Sequence, residues 1–229
     1  MSPVFDSRDA DQILTGMRQA RQAISRGELV VLPTDTVYGV GADAFSPAAV
    51  QRLLDAKGRG RQQPPPVLVG SVATLTALVE SVPEPVRLLV DEFWPGGLTI
   101  VLPAQPSLVW DLGETHGTVA VRMPDHKIAL ALLEETGPLA VSSANLTGQE
   151  AAVEIDDAER MLGDSVTVYL DHGRLTPDEQ AAGVPSTIVD ATSLVRPGGE
   201  DAKVRVLRDG AISREELARV LGDLLEEPA

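Results

Sequence analysis

An α/β fold, one domain built on a mixed sheet flanked by helices, is predicted by three features of the chain. Segments of helical period alternate with short apolar runs from one end to the other. Compact Gly- and Pro-bearing turns, not a linker, separate these runs. No repeat, low-complexity tract or break in composition divides the 229 residues. A chain of this length buries a substantial core without staples. Residues 1–229 are therefore read as a single domain, with a core over about 13–212 and a closing helix over about 213–225.

The elements follow in order. Ile13, Met17, Ala20 and Ile24 recur at helical spacing, and Gly27 stands where a C-terminal cap belongs. Residues 28–32 read as a strand ended by Pro33. Residues 34–41 read as a glycine-bearing loop at its carboxyl end, where open α/β sheets commonly bind ligands. Ser46-Pro47 supplies an N-cap and an N1 proline for a helix with Val50, Leu53 and Leu54 on one face and Lys57 at its end. Further strands are expected over 66–69, 98–102, 118–122, 138–142, 166–170, 186–190 and 204–207. Further helices are expected over 72–79, 85–93, 126–135, 156–162 and 214–225.

Composition narrows the function. The chain has no cysteine, which excludes disulfides, thiolate metal sites and a cysteine nucleophile, and fits a reducing cytoplasm. Residues 1–11 lack the apolar core of a signal peptide, and no run approaches the roughly 20 apolar residues that span a bilayer, so no membrane partner is expected. Asp and Glu number 34 against 19 Lys and Arg, a formal net charge of -15. Such a chain repels nucleic acid unless its cations gather in one place. Lys57-Gly58-Arg59-Gly60-Arg61 is the local exception, with three cations in five residues.

Several common chemistries are missing. There is no Gly-x-x-x-x-Gly-Lys-Ser/Thr stretch for a P-loop and no Gly-x-Ser-x-Gly elbow for an esterase. His116, His126 and His172 stand apart in sequence without a companion at metal-ligand spacing, and read as surface or capping residues. Gly39-Val40-Gly41-Ala42-Asp43-Ala44 imitates a dinucleotide fingerprint. A true fingerprint opens a helix directly, whereas the next helix cap here is Ser46.

Four segments carry candidate chemistry, each beside a plainer reading. The Lys57 to Arg61 cations suit the negative end of a helix dipole; the two glycines between them also let a bulky anion approach, which suits a polyphosphate. Val141 to Gly148 is either an ordinary Ser/Asn turn or a set of neutral donors for phosphate oxygens. Arg122 closes the run 118–122 and is able to grip a carboxylate or phosphate in two parallel hydrogen bonds, or to sit on the surface. Pro185 to Asp190 and Val206 to Ile212 read singly as loop, strand and turn.

Taken together and in this order, the segments resemble the YrdC family of threonylcarbamoyl-AMP synthases over roughly residues 24–212. The matching stretches are Pro33-Thr34-Asp35-Thr36-Val37-Tyr38-Gly39, Lys57-Gly58-Arg59, Val121-Arg122, Ser143-Ala144-Asn145, Pro185-Ser186-Thr187-Ile188-Val189-Asp190 and Arg208-Asp209-Gly210-Ala211-Ile212. The resemblance implies one α/β domain with a twisted mixed sheet and a concave anion-binding surface for ATP, L-threonine and bicarbonate. It implies Lys57, Arg59, Ser143 and Asn145 as the catalytic set, with Thr118 and Arg208 joining them around ATP. Thr34, Arg122, Val141 and Ser186 match positions around threonine. Leu68 stands where many members carry a histidine near threonine, Gly60 where proline is frequent, and Asp209 where proline often follows the arginine. Arg196-Pro197-Gly198 imitates the last motif, but Arg208 has the downstream Gly-Ala-Ile.

The implied reaction joins a carbamate oxygen of carboxylated threonine to the α-phosphorus of ATP and expels pyrophosphate. The nucleophile is already an anion, so the requirement is positioning and electrostatics, not a histidine base. Mg2+ is expected to be held mainly through the ATP phosphates. The product is expected to pass to a downstream tRNA threonylcarbamoyl transferase complex, with direct RNA contact at most weak. Two rivals stand beside this reading. One is a non-catalytic double-stranded RNA-binding or ribosome-maturation protein, which the charge opposes. The other is a carbamoyl-adenylate-forming module of hydrogenase maturation, which no acylphosphatase-like or zinc-finger segment accompanies here.

Overall fold

The computed structural model describes residues 2–175, 183–195 and 202–227. Among these, ten strands form one mixed sheet in the order β1-β8-β2-β3-β7-β4-β6-β5-β9-β10. In chain order the strands are β1 (Val4–Asp6), β2 (Val30–Leu32), β3 (Gly39–Asp43), β4 (Val67–Leu68), β5 (Leu98–Pro103), β6 (Thr118–Arg122), β7 (Leu139–Ser143), β8 (Val168–Asp171), β9 (Thr187–Asp190) and β10 (Arg205–Arg208). The helices are α1 (Ala10–Ser25), α2 (Pro47–Lys57), α3 (Val72–Leu78), α4 (Glu84–Phe93), α5 (Lys127–Thr136), α6 (Ile155–Leu162) and α7 (Arg214–Leu221). No helix of the described residues is long and apolar enough to cross a membrane.

Alternation along the strands supplies both faces of the sheet. Val30 and Leu32 pack with Ala20, Ile24, Ala129 and Leu133 of α1 and α5. Val31 between them packs with Ala49 and Leu53 of α2 and Ile155 and Leu162 of α6. A third cluster joins α3, α4 and α7 to the half of the sheet formed by β4, β6, β5 and β9. Leu217 and Leu221 of α7 are buried in it, so the C-terminal helix belongs to the core. That helix stops at Leu221 and continues as a 3₁₀ turn, Gly222–Leu224, short of the expected residue 225.

Two local departures bear on the site. Residues 39–43 form a strand antiparallel to β2 and β7, not the end of a loop. Glycine is poor in strands, which is why these residues read as a turn. Here a Cβ on Gly39 would lie 2.7 Å from Val141 Cγ1, and one on Gly41 would lie 3.3 Å from both Leu32 Cδ2 and Val141 Cγ2. Side chains from the neighbouring strands take up the space of the missing ones. The strand also removes the dinucleotide fingerprint, because no helix opens at Gly39. The second departure is β1, which sequence periodicity did not pick out; it pairs in parallel with β8.

Candidate active site

Helix α2 delivers the cationic segment. Ser46 caps its first turn by accepting from the Ala49 N–H, and Gly58, in the left-handed conformation at φ 61°, ends it. The Gly58 N–H bonds to the Asp55 carbonyl and the Arg59 N–H to the Leu54 carbonyl, a Schellman ending. Gly58 is thus required by the helix cap, independently of any ligand. The reversal sends Arg59 across to β7, where its guanidinium donates to Ser142 Oγ at 3.2 Å and to Gln63 Oε1 at 3.0 Å.

Arg122, at the carboxyl end of β6, is held on three sides. It donates to the Gly96 carbonyl at 2.9 Å, to Thr36 Oγ1 at 3.0 Å and to Asp35 Oδ1 at 2.6 Å. The ion pair with Asp35 is largely buried, the two side chains being 7% and 16% exposed. Arg208 donates to the Ser186 carbonyl at 2.6 Å and to Ser186 Oγ at 3.0 Å. The strand-to-helix turn behind it is fixed by Gly210, whose missing Cβ would fall 2.4 Å from the Pro185 carbonyl oxygen. Thr187 Oγ1 accepts from the Ile212 N–H and donates to the Ile212 carbonyl.

These groups converge on one cleft of about 380 Å³. Arg59, Ser143, Asn145 and Arg208 line it, and so do Thr34, Arg122, Val141 and Ser186. Two predicted residues do not line it. Thr118 stands at the far end of β6 from Arg122, its hydroxyl bonded to the Thr115 carbonyl at 2.8 Å. Lys57 is 3% exposed, beneath the turn that follows β7. Arg196-Pro197-Gly198 lies outside the described residues. A larger hollow of about 540 Å³ between α1 and the end of α5 is lined by Arg18, Arg21 and Glu135 among others. Arg21 is paired with Glu135 there, and no predicted residue reaches it.

Electrostatically the cleft reverses the character of the chain. Arg59 is pushed below the usual guanidinium range by burial. Arg122 is pushed down by burial despite Asp35. Arg208 is pushed down by partial burial and by the charges of Arg122 and Arg59. Burial, then Arg59, bring Lys57 down to about 8. Four cations thus feel one another. Among the described residues Arg122 alone of the four has a carboxylate partner. Such a concentration of uncompensated positive charge is suited to a polyanion.

Thr36 and Ser142, which lie within the candidate segments but were given no role of their own, also line the cleft, as does Thr99, which the sequence reading passed over. Thr99 is fully buried and bonds to Ser186 Oγ at 2.9 Å; a lone hydroxyl inside the apolar run Leu98 to Leu102 was the available signal. Two of the histidines also meet in space. His126 caps α5 by accepting from the Ile128 N–H, as a capping residue should. Its ring nevertheless meets His172 edge-on with centroids 4.6 Å apart, a contact between loops far apart in sequence. Among the described residues no group of three or more His, Cys, Asp or Glu is placed to hold a metal ion.

Comparison with known proteins follows the same lines. The Sua5/YciO/YrdC family model, described as telomere recombination, matches residues 22–210. A relative from Mycobacterium tuberculosis is 52% identical over 222 residues, which are 97% of this chain and 96% of that protein. A relative from Pyrococcus abyssi, named threonylcarbamoyl-AMP synthase, is 35% identical over 93% of this chain and 59% of its own length. The crystal structure of P. abyssi Sua5 complexed with L-threonine matches with a TM-score of 0.80 and 34% identity, over 93% of this chain and 59% of that one. By sequence and by fold, the chain belongs to the Sua5/YciO/YrdC family.

Proposed function

We propose that the chain is a threonylcarbamoyl-AMP synthase, converting ATP, L-threonine and bicarbonate into L-threonylcarbamoyladenylate and pyrophosphate. The observation that carries this reading is the meeting of Arg59, Arg122 and Arg208 with Ser143 around one cleft, in a chain whose net charge is -15. The names of its relatives point the same way.

Threonine nitrogen attacks the carbon of bicarbonate-derived CO2 and loses a proton, giving a carbamate. A carbamate oxygen then bonds to the α-phosphorus as the bond to the bridging oxygen breaks and pyrophosphate departs. Both partners are anions, so the barrier is largely one of bringing like charges together in line. Arg59 and Arg208 are suited to neutralise charge on the phosphates, with Ser143 as a neutral donor. Thr34, Arg122, Val141 and Ser186, all on the cleft wall, are the residues suited to the amino acid. Leu68 contributes an apolar wall there. Mg2+ would be held mainly through the ATP phosphates and supply charge neutralisation there.

The reaction would take place in the cytoplasm. Its product, a mixed anhydride, would serve a tRNA threonylcarbamoyl transferase that forms N6-threonylcarbamoyladenosine. Pyrophosphate release from ATP should require both L-threonine and bicarbonate, and Arg59→Ala should lower turnover by about 100-fold or more while the thermal midpoint stays within a few degrees. Threonine-independent ATP consumption, or none at all, would reject the assignment.

A further inference from the structure

We propose that Lys57 is a positioning residue: its ammonium group clamps the turn after β7 in place and does not itself touch the nucleotide. The proposal rests on the synthase reading for its consequence in catalysis, but its geometry stands without it. Lys57 Nζ lies 2.5 Å from the Ser143 carbonyl oxygen, 2.5 Å from the Asn145 carbonyl oxygen and 3.3 Å from Asn145 Oδ1. An ammonium has three hydrogens and no acceptor. Three acceptors therefore use all of them, and none remains for a phosphate.

Asn145 is consumed in the same way. Its amide nitrogen donates one hydrogen to the Leu146 carbonyl at 2.9 Å and the other to the Gln149 carbonyl at 2.7 Å, while its oxygen faces Lys57. The clamp closes through the backbone as well, since the Thr147 N–H donates to the Lys57 carbonyl at 3.0 Å. The end of α2 and residues 143–149 are thus tied by bonds running in both directions. Lys57 is absent from the cleft wall, whereas Arg59, Ser143, Asn145 and Gln149 are on it.

A buried charge is tolerated only where dipoles or counter-charges replace its water. Lys57 meets two carbonyl dipoles and one amide oxygen. That concentrates its charge on orienting the peptides of the turn, which in turn set where Ser143 and Gln149 stand. A direct ligand would be open to the cleft with hydrogens to spare. The lowered proton affinity of Lys57 accords with a group held away from water.

Amide hydrogen exchange of residues 143–149 in the nucleotide-free protein is the decisive measurement. Lys57→Met, which keeps the chain length without the charge, should speed that exchange at least tenfold before any ATP is added, and should raise the KM for ATP more than it lowers kcat. Combining it with Asn145→Ala should cost little beyond the more damaging single change, because both act through one turn. Unchanged exchange in a folded Lys57→Met protein, with the two substitutions multiplying in their effect on ATP affinity, would make Lys57 a direct ligand and overturn the proposal. Should Lys57→Met fail to fold, the Lys57 ammonium resonance of the unsubstituted protein gives the same decision. It should move little when ATP is added, and a large shift refutes the clamp. Because exchange and ATP binding are read without threonine, a failure of the synthase reading alone would leave both results interpretable.

Discussion

Gly39 sits where β3 passes under Val141, and the 2.7 Å separation from its would-be Cβ to Val141 Cγ1 leaves no room for a methyl group. Both residues line the cleft. Gly39→Ala should therefore push Val141 into the cleft and destabilise the protein by about 1–3 kcal/mol, the usual cost of overpacking. Urea unfolding measures the loss. Gly39→Ala combined with Val141→Ala should recover part of it, and a Gly39→Ala protein as stable as the parent would show that β3 yields where the packing says it does not. This glycine read from sequence as part of a glycine-bearing loop. The contact that requires it comes from a strand about a hundred residues later, and periodicity in a single chain carries no sign of that partner. Arg122 was legible because a charged residue ending an apolar run is conspicuous, whereas its three protein acceptors, all from other segments, were not.

Individual elements were far more legible than their neighbours in space. The Ser46 cap, the end of α2 at Lys57 and the run of β6 follow from local chemistry and were readable as such, whereas Gly58 read as room for an anion and is the helix cap. Strand β1 is only three residues long and partly exposed, too short to show a period. His126 was readable as a cap for α5, but not as a neighbour of His172, since the two meet only when β6 and β8 are placed in one sheet. That meeting gives the cap a pH dependence. Burial first, then repulsion by His172, lower His126 to about 4, against the opposing pull of Asp35 and Asp125. The unfolded chain takes up this proton near the ordinary histidine value of about 6.5, well before the folded one does. The contribution is therefore complete above about pH 6.5 and is lost as pH falls through about 4. Protonation also removes the lone pair that accepts from Ile128, a cap of about 1 kcal/mol. His126→Asn retains a capping acceptor that does not titrate. The parent protein should lose stability relative to this variant between about pH 6.5 and 4, in urea unfolding at a series of pH values. Parallel curves for the two proteins would show that His126 does not titrate in this way.

At the scale of the whole molecule, strand order was the part hidden from the sequence. Strand β8 lies between β1 and β2, so its pairing joins residues well over a hundred positions apart, and an α/β alternation specifies the class of sheet but not this order. The charge balance, by contrast, was legible at once and now has a location. A chain of net charge -15 gathers Arg59, Arg122 and Arg208 on the wall of one concavity too small for a duplex, with Lys57 buried within interaction distance of Arg59. A cleft of about 380 Å³ is of small-molecule size, while the acidic exterior repels a phosphate backbone running past it. Binding to duplex RNA should accordingly be weaker than about 100 µM at roughly 0.15 M salt, the weak end of non-specific association. Its salt dependence should correspond to no more than about two or three phosphates, because counterion release scales with the phosphates neutralised. Fluorescence anisotropy of a labelled duplex titrated with the protein at two salt concentrations measures both quantities. Micromolar binding with the slope of six or more phosphate contacts would require a basic track outside the cleft, and would favour RNA recognition over small-molecule chemistry as the use of this fold.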